Sequence, residues 1–150
     1  MITYTEELFE DGIDEVLHFF ERHRDEASNF KELELDVDIE RVAAMQNDGS
    51  ILCFAMRDNG KVVGYCMDLL SKSFHYKDCL LAITDVYYIM PEYRLYSLEF
   101  FRFIESVEKE LGVYARLMGY SMAFEGHERV GAFFKRLGYS DMEKILLKRL

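Results

Sequence analysis

Apolar residues recur along the chain with two different periods, and the switches between them divide it into short elements. Met1–Tyr4 reads as a first strand; Ile13, Val16, Leu17 and Phe20 then fall at helical spacing, with Asp11 placed to cap the helix. Ile39, Val42, Ala43 and Gln46, introduced by Asp38 and closed by Gly49, predict a second, shorter helix. Between the helices, residues 25–36 are polar and mostly acidic with Phe30, Leu33 and Leu35 interspersed, which suits a mobile connection or a short irregular helix bordering a substrate cleft.

The middle of the chain changes period. Ile51–Met56 is a continuous apolar run, Asp58-Asn59-Gly60 supplies a tight turn, and Val63, Tyr65, Met67 and Leu69 alternate, which together predict a β-hairpin. A connection over Ser71–Asp78 leads to Cys79–Met90, a strand apolar enough to lie in a sheet covered on both faces and ended by Pro91. Phe100, Phe103, Ile104, Val107 and Leu111 mark an amphipathic helix closed by Gly112. Tyr114–Met122 reads as a strand, Val130, Phe133, Phe134 and Leu137 as a short helix ended by Gly138, and Tyr139–Leu150 as a last strand. A strand, crossover helix and strand over residues 79–122 imply one parallel pair in a mixed, mostly antiparallel sheet. The expected architecture is a single α/β domain over residues 1–150, its sheet flanked by helices on both faces.

Composition sharpens this picture in three respects. Half the residues are hydrophobic and 15% are aromatic, so one packed core is expected instead of disorder. A formal charge of -10 opposes non-specific binding to nucleic acid or an anionic membrane surface and accommodates a cationic partner. Cys53, Cys66 and Cys79 are odd in number, sit in apolar runs and lack metal-ligand spacing, so they read as reduced thiols with no metal site. Residues 1–9 are acidic where a leader would be basic and then apolar, and no apolar run approaches a membrane span; a cytoplasmic location is expected.

The stretch Asp85-Val86-Tyr87-Tyr88-Ile89-Met90-Pro91-Glu92-Tyr93-Arg94-Leu95-Tyr96-Ser97-Leu98-Glu99 carries an inner strand into a helix through a tight loop. The free amides of a helix's first turn can hold a phosphate there without a basic side chain. This stretch resembles the GNAT superfamily of acetyltransferases, whose signature is a strand ending Val-x-Pro, then x-x-Arg-Gly-x-Gly-x-Gly or Ala, then a helix. Ile89-Met90-Pro91-Glu92-Tyr93-Arg94 is similar to the strand end and first loop residue, while Leu95, Ser97 and Glu99 fill the three small positions. His127 to Tyr139 resembles the family's late helix, usually ending Phe-Tyr-Glu-Lys-Leu-Gly-Phe, so the resemblance spans essentially the whole chain.

The resemblance implies an acetyl-CoA-dependent N-acetyltransferase acting on an amine of a protein or of a small cationic molecule, with no nucleic-acid or membrane partner and with a homodimer compatible. The filled loop implies the alternative of a non-catalytic interaction module that keeps the fold with weakened acetyl-CoA binding. Pantetheine is expected along Tyr88, Ile89 and Met90, and the diphosphate at the amides of Leu95, Tyr96, Ser97, Leu98 and Glu99 beside Arg94. Glu99 would repel that diphosphate. His127 takes the place of an Asn near the cofactor, and Phe134 stands where the family often carries a tyrosine acid.

Asp85, the one acid between Leu80 and Met90, is the candidate general base; its alternatives are a hydrogen bond within the sheet or solvation at a bulge. Tyr139 is the candidate acid, with Tyr120 or a water as substitutes. His18 and His23 read as residues of the first helix's exposed face or end, and His75 as solvated.

Overall fold

Asn59 and Gly60 adopt φ values of 49° and 88°, the left-handed pair that a two-residue hairpin turn needs, and so fold β2 (Ile51–Asp58) back on β3 (Lys61–Lys72). The computed structural model describes residues 1–150, and around this hairpin it places β1 (Ile2–Glu6), β4 (Leu80–Ile89) and β5 (Ala115–Leu117) in the order β1-β2-β3-β4-β5. Every neighbouring pair is antiparallel except β4 and β5, which are joined through helix α3 (Ser97–Glu110) and run parallel. The mixed, mostly antiparallel α/β sheet expected from the sequence is present.

Helices cover both faces. On one lie α1 (Phe9–Ala27) and α2 (Ile39–Asn47), with Val16 and Phe19 of α1 packed on Val62, Tyr65 and Tyr88. On the other lie α3 and α4 (His127–Arg136), whose Phe100, Phe101, Ile104 and Phe134 meet Phe54, Met56, Cys66 and Ile89. Burial on both faces is why Ile51–Met56 shows no alternation. No helix is long and apolar enough to cross a membrane.

Two bulges interrupt the ladders. Val63 has no partner between the pairs Met56↔Gly64 and Arg57↔Val62, and Asp85 has none between Met67↔Val86 and Asp68↔Thr84. Each extra residue reverses which face the following side chains take. Thr84 therefore points with Asp68 toward α3, whereas Val86 and Tyr88 pack toward α1.

Four sequence expectations change. Asp11 does not cap α1: the helix starts at Phe9, and its first free amide donates to Gln46 Oε1 at 2.7 Å, so a side chain of α2 does the capping. Asp38 does cap α2, accepting from the Arg41 amide at 3.1 Å. The strand expected over Tyr114–Met122 contracts to Ala115–Leu117. Tyr139–Leu150 forms no strand, because β5 offers only 3 residues of edge; Ile145 and Leu146 stay exposed. The loop Pro91–Tyr96 is a 3₁₀ turn leading directly into α3.

A buried charge cluster ties β5 to its neighbours. Arg116 donates to Asp68 Oδ1 of β3 at 3.0 Å and to Thr84 Oγ1 of β4 at 2.8 Å, and its other terminal nitrogen lies 2.9 Å from Glu108 Oε1 of α3. The Arg116–Glu108 contact is close but poorly aligned, leaving both atoms without a well-formed hydrogen bond. Asp68 is 0% exposed and Glu108 2%, so two carboxylates share one guanidinium away from water. Burial pushes the Glu108 carboxyl up to about 7, opposed by Arg116, and a proton retained there leaves the cluster neutral.

Arg116→Met should cost about 3–5 kcal/mol in denaturant unfolding, because it strands the buried Asp68 carboxylate and leaves the Glu108 carboxyl without its cation. Glu108 ionises more readily unfolded than folded, so its contribution is present below pH 4.5 and is lost as pH rises through about 7. Glu108→Gln, which imitates the protonated acid, should unfold with a flatter stability profile between pH 5 and 8 than the parent; identical profiles would show Glu108 to be ionised throughout.

Candidate active site

β4 and β5 pair only at Leu81↔Ala115, Ala82↔Arg116 and Ile83↔Leu117. Beyond Ile83 the β4 edge runs on without β5. The Met90 amide donates to Val63 O at 3.0 Å, which sets the phase of the antiparallel ladder. Val86 and Tyr88 therefore direct their peptide groups to β3, while Tyr87 and Ile89 direct theirs to the bare edge. A cavity of about 830 Å³ opens along this edge, bordered by Asp85–Ile89, Ser97, Phe101, Tyr120, Phe134 and the end of α1.

Asp85 sits where the ladder breaks. Asp85 also borders a second cavity, of about 330 Å³, beneath α1 and α2. Desolvation raises its pKa, and no ion pair or hydrogen bond with the protein offsets that effect. Asp85 is the unpaired residue of the bulge and is exposed to solvent there at the border of the cleft; no hydrogen bond within the sheet holds it.

The end of α1 forms the opposite wall. Glu26 accepts from the Tyr88 hydroxyl at 2.7 Å and from Arg94 at 2.7 Å, while Arg94 Nε donates to Ile89 O at 3.0 Å. Arg94 is thus tied to α1 and not to Glu92 or Glu99, and its guanidinium lies over the Tyr88 and Phe124 rings. His23 stacks on Tyr88 at 4.8 Å, with Nδ1 against the Tyr65 hydroxyl. Burial pulls its pKa down to about 4, against the weaker opposing effect of Glu26. The expectation that His23 belongs to an exposed end is therefore corrected; its helical spacing from Val16 and Phe20 already put it on the apolar stripe.

Of the residues expected to meet the cofactor, Tyr88, Ile89, Arg94, Ser97 and Phe134 line the larger cavity. The others do not. Met90 has its amide bonded to β3, and Leu95 is 72% exposed on the outer surface of the turn. Tyr96 and Leu98 lie off the cleft side, and Glu99 faces Tyr4, where its charge helps to raise that phenol's pKa. Ser97 and Phe101, one helical turn apart, face the cleft; Glu99 lies about half a turn round. The turn also consumes its own amides, with Tyr93 donating to Met90 O and Ser97 to Arg94 O.

His127 holds Nδ1 2.9 Å from Phe124 O outside the cavity, and the Tyr139 hydroxyl donates to Glu105 at 2.7 Å on the far side of Phe134. Tyr139 is therefore not placed to act in the cleft. Tyr120 is: it reaches in over Gly131, where an added Cβ would stand 2.5 Å from its hydroxyl and would push the ring aside. Arg129 also lines the cleft and forms no ion pair. No local pattern in the sequence marks it, since its position depends on where α4 begins.

No protein-family model and no curated protein matches the sequence. Solved structures match its fold. An acetyltransferase from Trypanosoma brucei is 16% identical, with 100% of each chain covered and a TM-score of 0.74. An aminoglycoside acetyltransferase from an uncultured soil metagenomic sample, in complex with sisomicin, is 11% identical, with 99% of this chain and 95% of that one covered and a TM-score of 0.75. A predicted acetyltransferase from Clostridium acetobutylicum, solved with acetyl-CoA, is 14% identical over 99% and 96%, with a TM-score of 0.67. The chain shares the fold of these acetyltransferase structures, a mixed and mostly antiparallel sheet flanked by helices.

His23 binds a proton near pH 6.5 when unfolded and only near pH 4 when folded, so its contribution is full above pH 6.5 and is lost as pH falls toward 4. His23→Phe should therefore gain about 2 kcal/mol relative to the parent on going from pH 7 to pH 5 in denaturant unfolding. Parallel stability curves would place the imidazole in water.

Proposed function

We propose that the chain is an N-acetyltransferase that takes acetyl-CoA as cosubstrate and a primary amine as acceptor. The observation that carries this reading is the bare β4 edge, where the Tyr87 peptide groups and the Ile89 amide face a cavity of about 830 Å³ that Asp85 also borders, the Ile89 carbonyl being held by Arg94. A strand edge offers the amides of pantetheine a ladder of partners. Acetyl-bearing and CoA-bearing complexes among structures of the same fold support the cosubstrate, and the sisomicin complex supports a small amine. The net charge of -10 favours a cationic acceptor, and three free thiols suit a reducing, cytoplasmic setting.

The diphosphate region fits less well. Its loop amides are spent in the 3₁₀ turn, and Arg94 is engaged by Glu26 and by Ile89 O. Arg129 and the Ser97 hydroxyl are the groups of this chain that border the cavity at that end. Weakness of cosubstrate binding would then come from geometry, with Glu99 too far round the helix to repel anything.

The thioester brings an acetyl group and a thiol leaving group. Asp85 accepts a proton from the acceptor ammonium, whose free pKa is about 10.4, and frees the nitrogen lone pair. The nitrogen bonds the acetyl carbon as the carbon–sulfur bond breaks, and Tyr120 protonates the departing sulfur. Of the two protons lost by nitrogen, one ends on sulfur and one in solvent.

Calorimetric titration should detect acetyl-CoA binding, and amide shifts should concentrate at Tyr87–Ile89, Ser97 and Arg129. Absence of binding at millimolar concentration would favour the non-catalytic module, for which the spent loop amides are the supporting observation. Glu99→Ala should leave the affinity unchanged. Asp85→Asn should lower turnover at pH 7 by about 100-fold, with recovery as pH approaches the amine's own pKa; an unchanged rate would remove Asp85 from the mechanism.

A further inference from the structure

The cavity of about 330 Å³ beneath α1 and α2 differs in chemistry from the cleft it adjoins. Leu8, Phe9, Val16, Val42, Ala55 and Val62 are among its walls. Protein interiors leave few voids larger than a water molecule, so an apolar space of this size is room for a ligand group. Three side chains bring polar atoms to it, and two are already committed. Glu7 is held by Arg57 through two contacts of 2.7 Å, and the Tyr65 hydroxyl is engaged by His23. The third is Asp85.

Phe20, Asp85 and Val86 line both cavities, so the two spaces meet at the bulge. A molecule lying across the junction would place a polar group at the Asp85 carboxylate and its remainder among aliphatic and aromatic side chains. We infer that the smaller cavity holds the hydrocarbon tail of the acceptor, with its ammonium at Asp85, so that the acceptor class is a monoamine bearing an alkyl or arylalkyl chain. This rests on the acetyltransferase reading. A polycation such as a polyamine or an aminoglycoside is disfavoured, because a second ammonium in this space would be desolvated with no free acid to meet it.

The test measures amine and acetyl-CoA binding separately on the full chain, using hexylamine, 2-phenylethylamine, hexanol and spermidine as probes. Hexylamine and 2-phenylethylamine should bind more tightly than spermidine and should shift the signals of Ala55 and Val62. Val42→Phe, which fills the cavity from a half-buried position on α2, should weaken hexylamine by about tenfold or more and leave acetyl-CoA affinity unchanged. Should that variant fail to fold, Asp85→Asn decides: it should weaken hexylamine and leave hexanol unaffected. Preference for spermidine, or hexylamine binding indifferent to both substitutions, overturns the inference. Acetyl-CoA binding without hexylamine binding overturns it too and leaves the acetyltransferase reading standing; hexylamine binding without acetyl-CoA binding supports the cavity and sinks that reading.

Discussion

The site depends on one buried guanidinium. β5 pairs with β4 through only three residues, too few to hold an edge strand by backbone hydrogen bonds alone. Arg116 adds side-chain ties to β3, β4 and α3, all in the same desolvated space. Its contact at Thr84 lies one residue before the bulge, so the last position that β5 secures on β4 is also the last before the strand changes phase. The clamp and the opening are adjacent for a physical reason: past Thr84 nothing pulls β5 inward, and Asp85 is free of the ladder.

The opposite wall is held by different means. α1 reaches the strand through aromatic stacking and a carboxylate, with His23 on Tyr88 and Glu26 joining Tyr88 to Arg94. A neutral imidazole suits such a place because a charged one would lose its hydration among Phe20, Tyr65 and Tyr88. Arg94 and Ile89 O are joined in the same network, so the wall of the cleft and the turn at its mouth behave as one hydrogen-bonded unit.

Much of this was legible in the sequence, and for identifiable reasons. Asn59-Gly60 announces its turn because few other residue pairs tolerate that backbone, and Asp85 stands out because an unpaired acid in an apolar strand demands an explanation. Asp68 carries no such signal although it is fully buried, since its partners Arg116 and Glu108 are distant in sequence and only the fold unites them. Glu99 and Tyr139 lie off the cleft for different reasons: which side of α3 Glu99 takes depends on where that helix begins, whereas Tyr139 follows the end of α4 and its hydroxyl turns to Glu105. Tyr139–Leu150 has the apolar content of a strand and lacks a neighbouring edge to pair with.

The bulge makes β4 two half-strands of opposite phase, with Asp85 at the boundary. Loss of any one residue near it would restore a continuous pleat and exchange the faces of everything on one side, sending Tyr87 and Ile89 toward α1 and Tyr88 into the territory of α3. Folding therefore tolerates a change of residue at this position far better than a deletion there, because strand length, more than residue identity, sets which face each later side chain takes.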